Sequence, residues 1–420
     1  MRRFLFLSII TLVASIAIHA VDPTATRFSN DECQGSLRPY PGPTQAYDYP
    51  DTLTPVFINH VGRHGSRFPA SASNCITLQR ALLHADSIGS ITPLGKRLLD
   101  LTQYAIARSN GQWGALDSLG MAEQRGLAAR MYSNFPMLLN DGGVKAISSY
   151  SPRCLMSMYS FTHQLSRMNN KLEISAVSGR NMSYLMRPFD IDNEYIDFRK
   201  DKNAMKPYED FMLQAIPVEP LQRVLGKNYP YDNIDAQSLA LVEYYVIAGM
   251  SAMQVQCDAS EYFTSDEYNR LWSCFNLRQY LQRTASTIST IPADIASPLL
   301  ANLIETTDDV VNGKSQLKAM LRFGHAETLM PLLSLMRLDG CYYMTNYFDT
   351  VAKNWQDFNV VPMSANLQMV LFKTAKGKYY VRIDHNETPV TLLPNSSSIY
   401  IPWEEAREYL MRCIPIYYQP

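Results

Sequence analysis

The sequence predicts an α/β protein: a mixed sheet flanked by helices, with a mainly helical stretch inserted between its two halves. Three observations carry this. Short apolar runs recur at 54–61, 144–148 and 319–323, each running into a polar turn and then a helical pattern. Strand signals lapse between about 185 and 300, where long segments of helical periodicity take over. The α/β pattern then returns near Lys318. A chain of 420 residues has room for such a domain plus an insertion. The expected division is therefore a core from 21–184 and 301–420, with 185–300 covering its cleft.

The elements follow in order. Arg2 and Arg3 precede a 15-residue run, Phe4 to Ile18, whose only polar members are Ser and Thr; small residues stand at Ala17 and Ala20. This reads as a signal peptide over 1–20 and predicts export to a bacterial periplasm or the medium. A membrane anchor is the alternative, but the run is shorter than the ~20 residues that span a bilayer. Residues 21–50, rich in Pro, Asp, Thr and Tyr, form an irregular lead-in. Val56, Phe57 and Ile58 centre a buried strand over 54–61, and a helix follows over 73–86. Thr92-Pro93 starts another helix, with Thr as cap and Pro in the first turn. A helix is expected over 121–139, a strand over 144–148, and a helix from Ser151-Pro152 to about 168. Helical segments in the insertion include 208–213, 239–253 and 267–284. Then come a strand over 319–323, an apolar helix over 328–337, a hairpin of 367–373 with 378–383, and a short helix over 402–411.

Composition excludes some classes. Without residues 1–20 the 38 basic residues fall to 36, against 39 acidic ones. Such a chain has no global attraction for nucleic acid, so a polyanionic substrate must be met by a local basic pocket. The seven cysteines are scattered, and no pair has metal-ligand spacing. Export permits disulfides, and Cys257 with Cys274 is the closest pair in sequence. The odd count leaves at least one thiol without a partner in the chain. No P-loop, Gly-x-Gly-x-x-Gly, His-Glu-x-x-His or Gly-x-Ser-x-Gly is present. No cofactor or tightly bound metal is expected.

Three polar clusters stand where a strand gives way to a helix or loop, the usual place for sites in open α/β sheets. In Arg63-His64-Gly65-Ser66-Arg67-Phe68-Pro69, two arginines flank a histidine. Guanidinium forks suit phosphate oxygens, and their charge favours the neutral imidazole that can attack phosphorus. Gly65 lets the backbone come close. In Ser151-Pro152-Arg153 a cation sits in the first turn of a helix, against the dipole, which makes sense if a shared anion binds there. In Gly324-His325-Ala326-Glu327, His325 can donate to a phosphoryl oxygen and Glu327 can protonate a leaving alkoxide. Arg187, in Met186-Arg187-Pro188, either reaches a distal phosphate or pairs as a linker arginine. Taken singly, each cluster also has a plain reading: solvated arginines, a satisfied core histidine, a carboxylate favoured by a helix N-terminus.

Together these residues resemble the histidine acid phosphatases, in the branch of multiple inositol polyphosphate phosphatases. The signature Arg-His-Gly-x-Arg-x-Pro stands at Arg63 to Pro69. The resemblance implies a phosphohistidine on His64, with Arg63 and Arg67 holding the phosphate. It makes Arg153, after Ser148-Ser149-Tyr150-Ser151-Pro152, the third phosphate arginine and His325 the late histidine. Most of the family has His-Asp at the last motif. This chain has His325-Ala326-Glu327, as the inositol polyphosphatase branch does, which makes Glu327 the proton donor. It thus implies metal-independent hydrolysis of phosphomonoesters, with phytate and other inositol polyphosphates as substrates. The partner expected is a small phosphorylated anion bound by a monomer with no stable membrane insertion.

Three other readings compete. A broad acid phosphatase would take small sugar or glycerate phosphates. A phosphoglycerate-type mutase would return the phosphoryl group to substrate and release no free phosphate. An exported binding protein on the same scaffold would turn over no phosphomonoester.

Overall fold

The computed structural model describes residues 27–418. The expected leader lies outside these residues.

A single mixed sheet has the strand order β3-β2-β4-β1-β5-β6-β7, with β8 beside β6. Its strands are β1 (Leu53–Arg63), β2 (Gly142–Ser148), β3 (Leu172–Ser178), β4 (Ala319–Gly324), β5 (Asn366–Thr374), β6 (Tyr379–His385), β7 (Thr388–Val390) and β8 (Ile401–Pro402). The first four run parallel where they pair, and β5 turns antiparallel against β1. β1 runs two residues beyond the expected 54–61 because Gly62 and Arg63 still pair with Phe323 and Gly324 of β4. The edge strand β3 had no sequence assignment.

Side-chain alternation sorts the sheet into two apolar faces. Phe57 and Val61 of β1, with Met369 and Leu371 of β5, join one core. Ile58 and Val370, their neighbours in sequence, join the other with Leu321 and Phe323. The second face is covered by α3 (Ser118–Asn134) and α4 (Pro152–Met168), through Leu127, Met131, Met158 and Phe161. The expected 121–139 helix ends early because Phe135 precedes Pro136 and leaves the helical region, at φ −131° and ψ 52°. It starts at Asp117, whose carboxylate accepts from the Leu119 N–H at 2.9 Å.

α1 (Ser73–Ser87) and α2 (Pro93–Ser109) leave the sheet. Thr92 caps α2 as expected, accepting from the Gly95 N–H at 3.0 Å. Further helices are α5 (Lys202–Ala215), α6 (Glu219–Leu225), α7 (Ala236–Ala248) and α8 (Ser265–Arg283). Thr264 and Glu267 form a capping box at the start of α8. α1 and α2 pack with α6, α7 and α8 around Leu78, Leu98, Val224, Tyr244 and Trp272. The helical layer over the carboxyl edge of the sheet therefore also draws on segments before residue 185. Finally α9 (Ser297–Val311), α10 (Ala326–Leu335) and α11 (Trp403–Cys413) cover the first face of the sheet.

A buried polar group pins the central pair of strands. Arg322 of β4 donates to Asn59 Oδ1 of β1 and to Asn302 Oδ1 of α9, both at 2.7 Å. A one-residue slip would leave that guanidinium buried and unpaired, at a cost of ~3–5 kcal/mol. Cys257 and Cys274, the closest pair in sequence, are not bridged, and all seven cysteines are free thiols. Cys274 is packed inside the helical core from α8, while Cys257 lies on the connection before it.

Candidate active site

The three sequence clusters meet because β2, β4 and β1 are adjacent and parallel. Arg63 is level with Gly324, and Ser148 with Phe323. The ladder continues one residue past each strand: the His64 N–H donates to Gly324 O at 3.0 Å, and the Ser149 N–H to Phe323 O at 2.9 Å. His64 and His325 end up edge to face, with ring centroids 5.7 Å apart.

The loop after His64 is held from behind by α3. The Ser66 N–H and hydroxyl donate to the Glu123 carboxylate at 2.8 and 2.6 Å. The Ser364 hydroxyl donates to the same carboxylate at 2.8 Å, and Gln124 donates to Arg63 O at 3.1 Å. The Gly65 N–H donates to Ser157 Oγ of α4 at 3.1 Å.

His64 is buried, and its Nδ1 faces Gly65 O at 3.0 Å. A carbonyl only accepts, so Nδ1 carries the proton and Nε2 holds the free electron pair. Burial, then the charges of Arg153, Arg63 and Arg67, hold this imidazole well below the ordinary histidine range. The ring is a neutral nucleophile.

Arginines surround it. Arg63 is anchored by Nη1, which donates to Ser36 O at 2.6 Å and Val361 O at 2.5 Å. Arg67 donates to Phe68 O at 2.8 Å. Burial lowers both guanidinium groups, Arg63 to about 10 with the charges of Arg283 and Arg153 adding to it, and Arg67 to about 9 with those of Arg153 and Arg63. The Nε–H groups of Arg63, Arg67 and Arg153 are buried with no partner in the protein. Like charges in one cleft with free donors constitute an anion site.

His325 caps α10 and is almost completely buried. Its Nε2 lies 2.7 Å from Arg187 Nη1 and 2.9 Å from Ser149 Oγ, while Nδ1 lies 3.3 Å from Arg153 Nη2. A neutral imidazole has one acceptor nitrogen, so one guanidinium contact sets N–H against N–H. A bound anion's oxygens would satisfy both. Arg187, open between two readings in the sequence, is in fact at the site. It also pairs with Asp190 and lies over the Tyr150 and Phe189 rings, 4.9 Å from each centroid.

Glu327 lies in the first turn of α10, where Arg283 Nη2 meets its Oε1 at 2.8 Å. Burial alone would raise this carboxyl; Arg283, His325 and a backbone N–H outweigh it and hold it well below the usual carboxylate range. The group expected to donate a proton is therefore ionised in the free site.

Of the residues the sequence predicted for the site, Arg63, His64, Arg67, Arg153 and Glu327 line one cavity of about 360 Å³, whereas His325 and Arg187 stand behind its lining. The lining adds Arg199, Arg278 and Arg283, with Gln279 and Gln282, which sequence reasoning missed. A signal existed for α8: Arg278, Gln279, Gln282 and Arg283 lie on one helical face of an otherwise buried helix. Among the described residues, no group of three or more His, Cys, Asp or Glu side chains could hold a metal ion, and no helix is long and apolar enough to cross a membrane.

Human multiple inositol polyphosphate phosphatase 1 is 26% identical over 386 residues, 83% of this chain and 77% of that protein. The chicken protein of the same name is 24% identical over 441 residues, covering 97% and 93%. A Bifidobacterium longum multiple inositol polyphosphate phosphatase, solved with inositol hexasulfate, superposes with a TM-score of 0.75 at 18% identity, covering 92% and 99%. The phytase of D. castellii superposes with a TM-score of 0.71 at 17% identity, covering 92% and 86%. These last two likenesses concern the fold. The sequence profile of the histidine phosphatase superfamily (branch 2) matches residues 56–386, and the chain belongs to that family of histidine-dependent phosphomonoesterases.

Proposed function

We propose that the protein hydrolyses phytate and related inositol polyphosphates without a metal, through a phosphohistidine on His64 with Glu327 as proton donor. One observation carries the substrate class. Six arginines line the cavity: Arg63, Arg67 and Arg153, whose charges act on His64, and Arg199, Arg278 and Arg283 besides. One phosphate needs two or three such partners, so the second set suits further phosphates on the same molecule. The relatives named for inositol polyphosphates support the same reading.

The scissile phosphoryl group lies among Arg63, Arg67, Arg153 and His325. His64 Nε2 attacks phosphorus as the ester P–O bond breaks, and the electron pair leaves on the alkoxide, which takes the Glu327 proton. Water then attacks the phosphohistidine, gives its proton to Glu327 and releases phosphate. The arginines neutralise the charge that spreads over the phosphoryl oxygens.

The test is phosphate release from phytate and from glycerol 2-phosphate under the same conditions. A kcat/KM higher for phytate is expected. A preference for glycerol 2-phosphate would favour the broad acid phosphatase, and phosphoryl transfer without free phosphate would favour the mutase. We propose also that the enzyme is exported, on the strength of Arg2, Arg3 and the run to Ile18. Residues 1–20 fused to a reporter that works only after export should then give signal.

A further inference from the structure

The proposed donor is tied to a cation. Arg283, the last residue of α8, pairs with Glu327 at 2.8 Å, and Glu327 is its only carboxylate partner among the ion pairs of the described residues. Both side chains line the cavity that holds His64. The Arg283 Nε–H is buried and has no partner in the protein. The guanidinium thus spends Nη2 on Glu327 and keeps its Nε–H unpaired.

We propose that Arg283 gates the reaction: it occupies Glu327 in the free enzyme and releases it only when a second phosphate of the substrate claims the guanidinium. This rests on the reading of Glu327 as proton donor and names a positioning residue for it.

The physical argument is a competition. A phosphate offers the fork of Arg more charge and more oxygens than a carboxylate does. Once Arg283 turns to it, Glu327 loses its strongest cation and gains an anionic neighbour, and both changes favour the protonated carboxyl. The proton comes from water on binding and goes to the leaving alkoxide oxygen as the P–O bond breaks. A substrate with one phosphate fills the inner arginines and leaves Arg283 on Glu327. Discrimination then falls on kcat as well as KM.

The groups around Glu327 permit this. Besides Arg283 from α8, it feels His325 at the start of its own helix and Arg63 at the end of β1. Its charge also reaches Arg67 in the following loop, Cys154 on α4 and Tyr195 in the short helix Asn193–Phe198. The inner arginines come from β1, the loop after it and α4, whereas Arg283 reaches the same cavity from the end of α8, where its charge lowers Arg63.

Inositol hexasulfate separates the outcomes because sulfate esters do not titrate near neutrality. Calorimetry at pH 5 in two buffers of different ionisation heat reads the protons taken up on binding. The wild type should take up close to one proton with the hexasulfate, far less with inorganic sulfate, and none when Glu327→Gln replaces it. Binding without proton uptake, or no binding, overturns the gate. Kinetics give a second reading. In Arg283→Gln the alkaline limb of kcat/KM for glycerol 2-phosphate should move up by at least one pH unit, a tenfold gain on that limb. Arg283→Lys, which keeps the charge, should leave the limb near its wild-type place. An unmoved limb in Arg283→Gln, or equal movement in both variants, overturns the gate. If Glu327→Gln leaves phytate turnover intact, the donor reading itself has failed; if it cripples turnover while the limb stays put, only the gate has failed.

Discussion

Gly65 and Gly120 cross backbone to backbone beneath the nucleophile. A Cβ on Gly65 would lie 2.5 Å from Gly120 O, and one on Gly120 would lie 2.2 Å from Ser66 O. Neither neighbour is a flexible side-chain end. Gly120→Ala should therefore cost ~1–3 kcal/mol of stability and push the His64 loop off its position. Denaturant unfolding and kcat should fall together; an unchanged pair of values would show that the loop relaxes freely.

His64→Ala should remove turnover and leave the fold intact, since the ring makes one hydrogen bond, to its neighbour's carbonyl. Wild-type enzyme quenched after labelled substrate should keep its label in base and lose it in acid, as a phosphoramidate does. A label that survives acid would point to an ester on Ser or Thr.

Glu327→Gln should slow an alkyl phosphate by ~10²–10⁴-fold, because an alkoxide leaves poorly without a proton. Phosphoenzyme formation from p-nitrophenyl phosphate, whose leaving group needs little help, should suffer far less. Single-turnover rates on both substrates decide it. Equal losses would make Glu327 a structural residue of the site.

Removing metal should leave the rate nearly unchanged, because the arginines take the charge-neutralising part that a cation plays elsewhere. Dialysis against a strong chelator, with metal-free substrate, is the measurement. A large loss restored by zinc or magnesium would overturn the mechanism.

Glu243 predicts a pH dependence of stability remote from the site. It is buried in the helical layer on α7, and neither carboxylate oxygen has a hydrogen-bond partner in the protein. Burial first, then Glu267, pushes the carboxyl up to about 8 against the pull of Arg223. The folded state keeps a proton that the unfolded chain loses near ~4.3. The stabilisation is complete below that value and is lost as pH rises through about 8. Relative to Glu243→Gln, the wild type should lose up to about 1.4 kcal/mol per pH unit across that window. Parallel stability curves for the two proteins would refute it.

The inner site was legible because its residues follow strands in short motifs, and parallel neighbours bring such ends together. Arg63, His64, Arg67, Arg153, His325 and Glu327 all meet as three strand ends. Arg187 was ambiguous because sequence could not say which way a linker folds back. Arg278 and Arg283 stand in a helix and Arg199 just after a short one, none in a local motif, so they escaped: only tertiary packing turns them to the cavity. Glu123 escaped for a similar reason: it holds the His64 loop from another helix. β3 was overlooked because an edge strand buries little; only Leu172 of its seven residues is fully inside.

The place of β4 between β2 and β1 has a consequence for synthesis. A ribosome that has passed β1 and β2 has already made His64 and Arg153, yet nothing joins them edge to edge until Ala319–Gly324 emerges. Nascent chains and fragments that stop short of that strand carry the nucleophile without a working centre. Activity thus waits on a strand that comes late in the chain, and a product that ends before it should strip no phosphates.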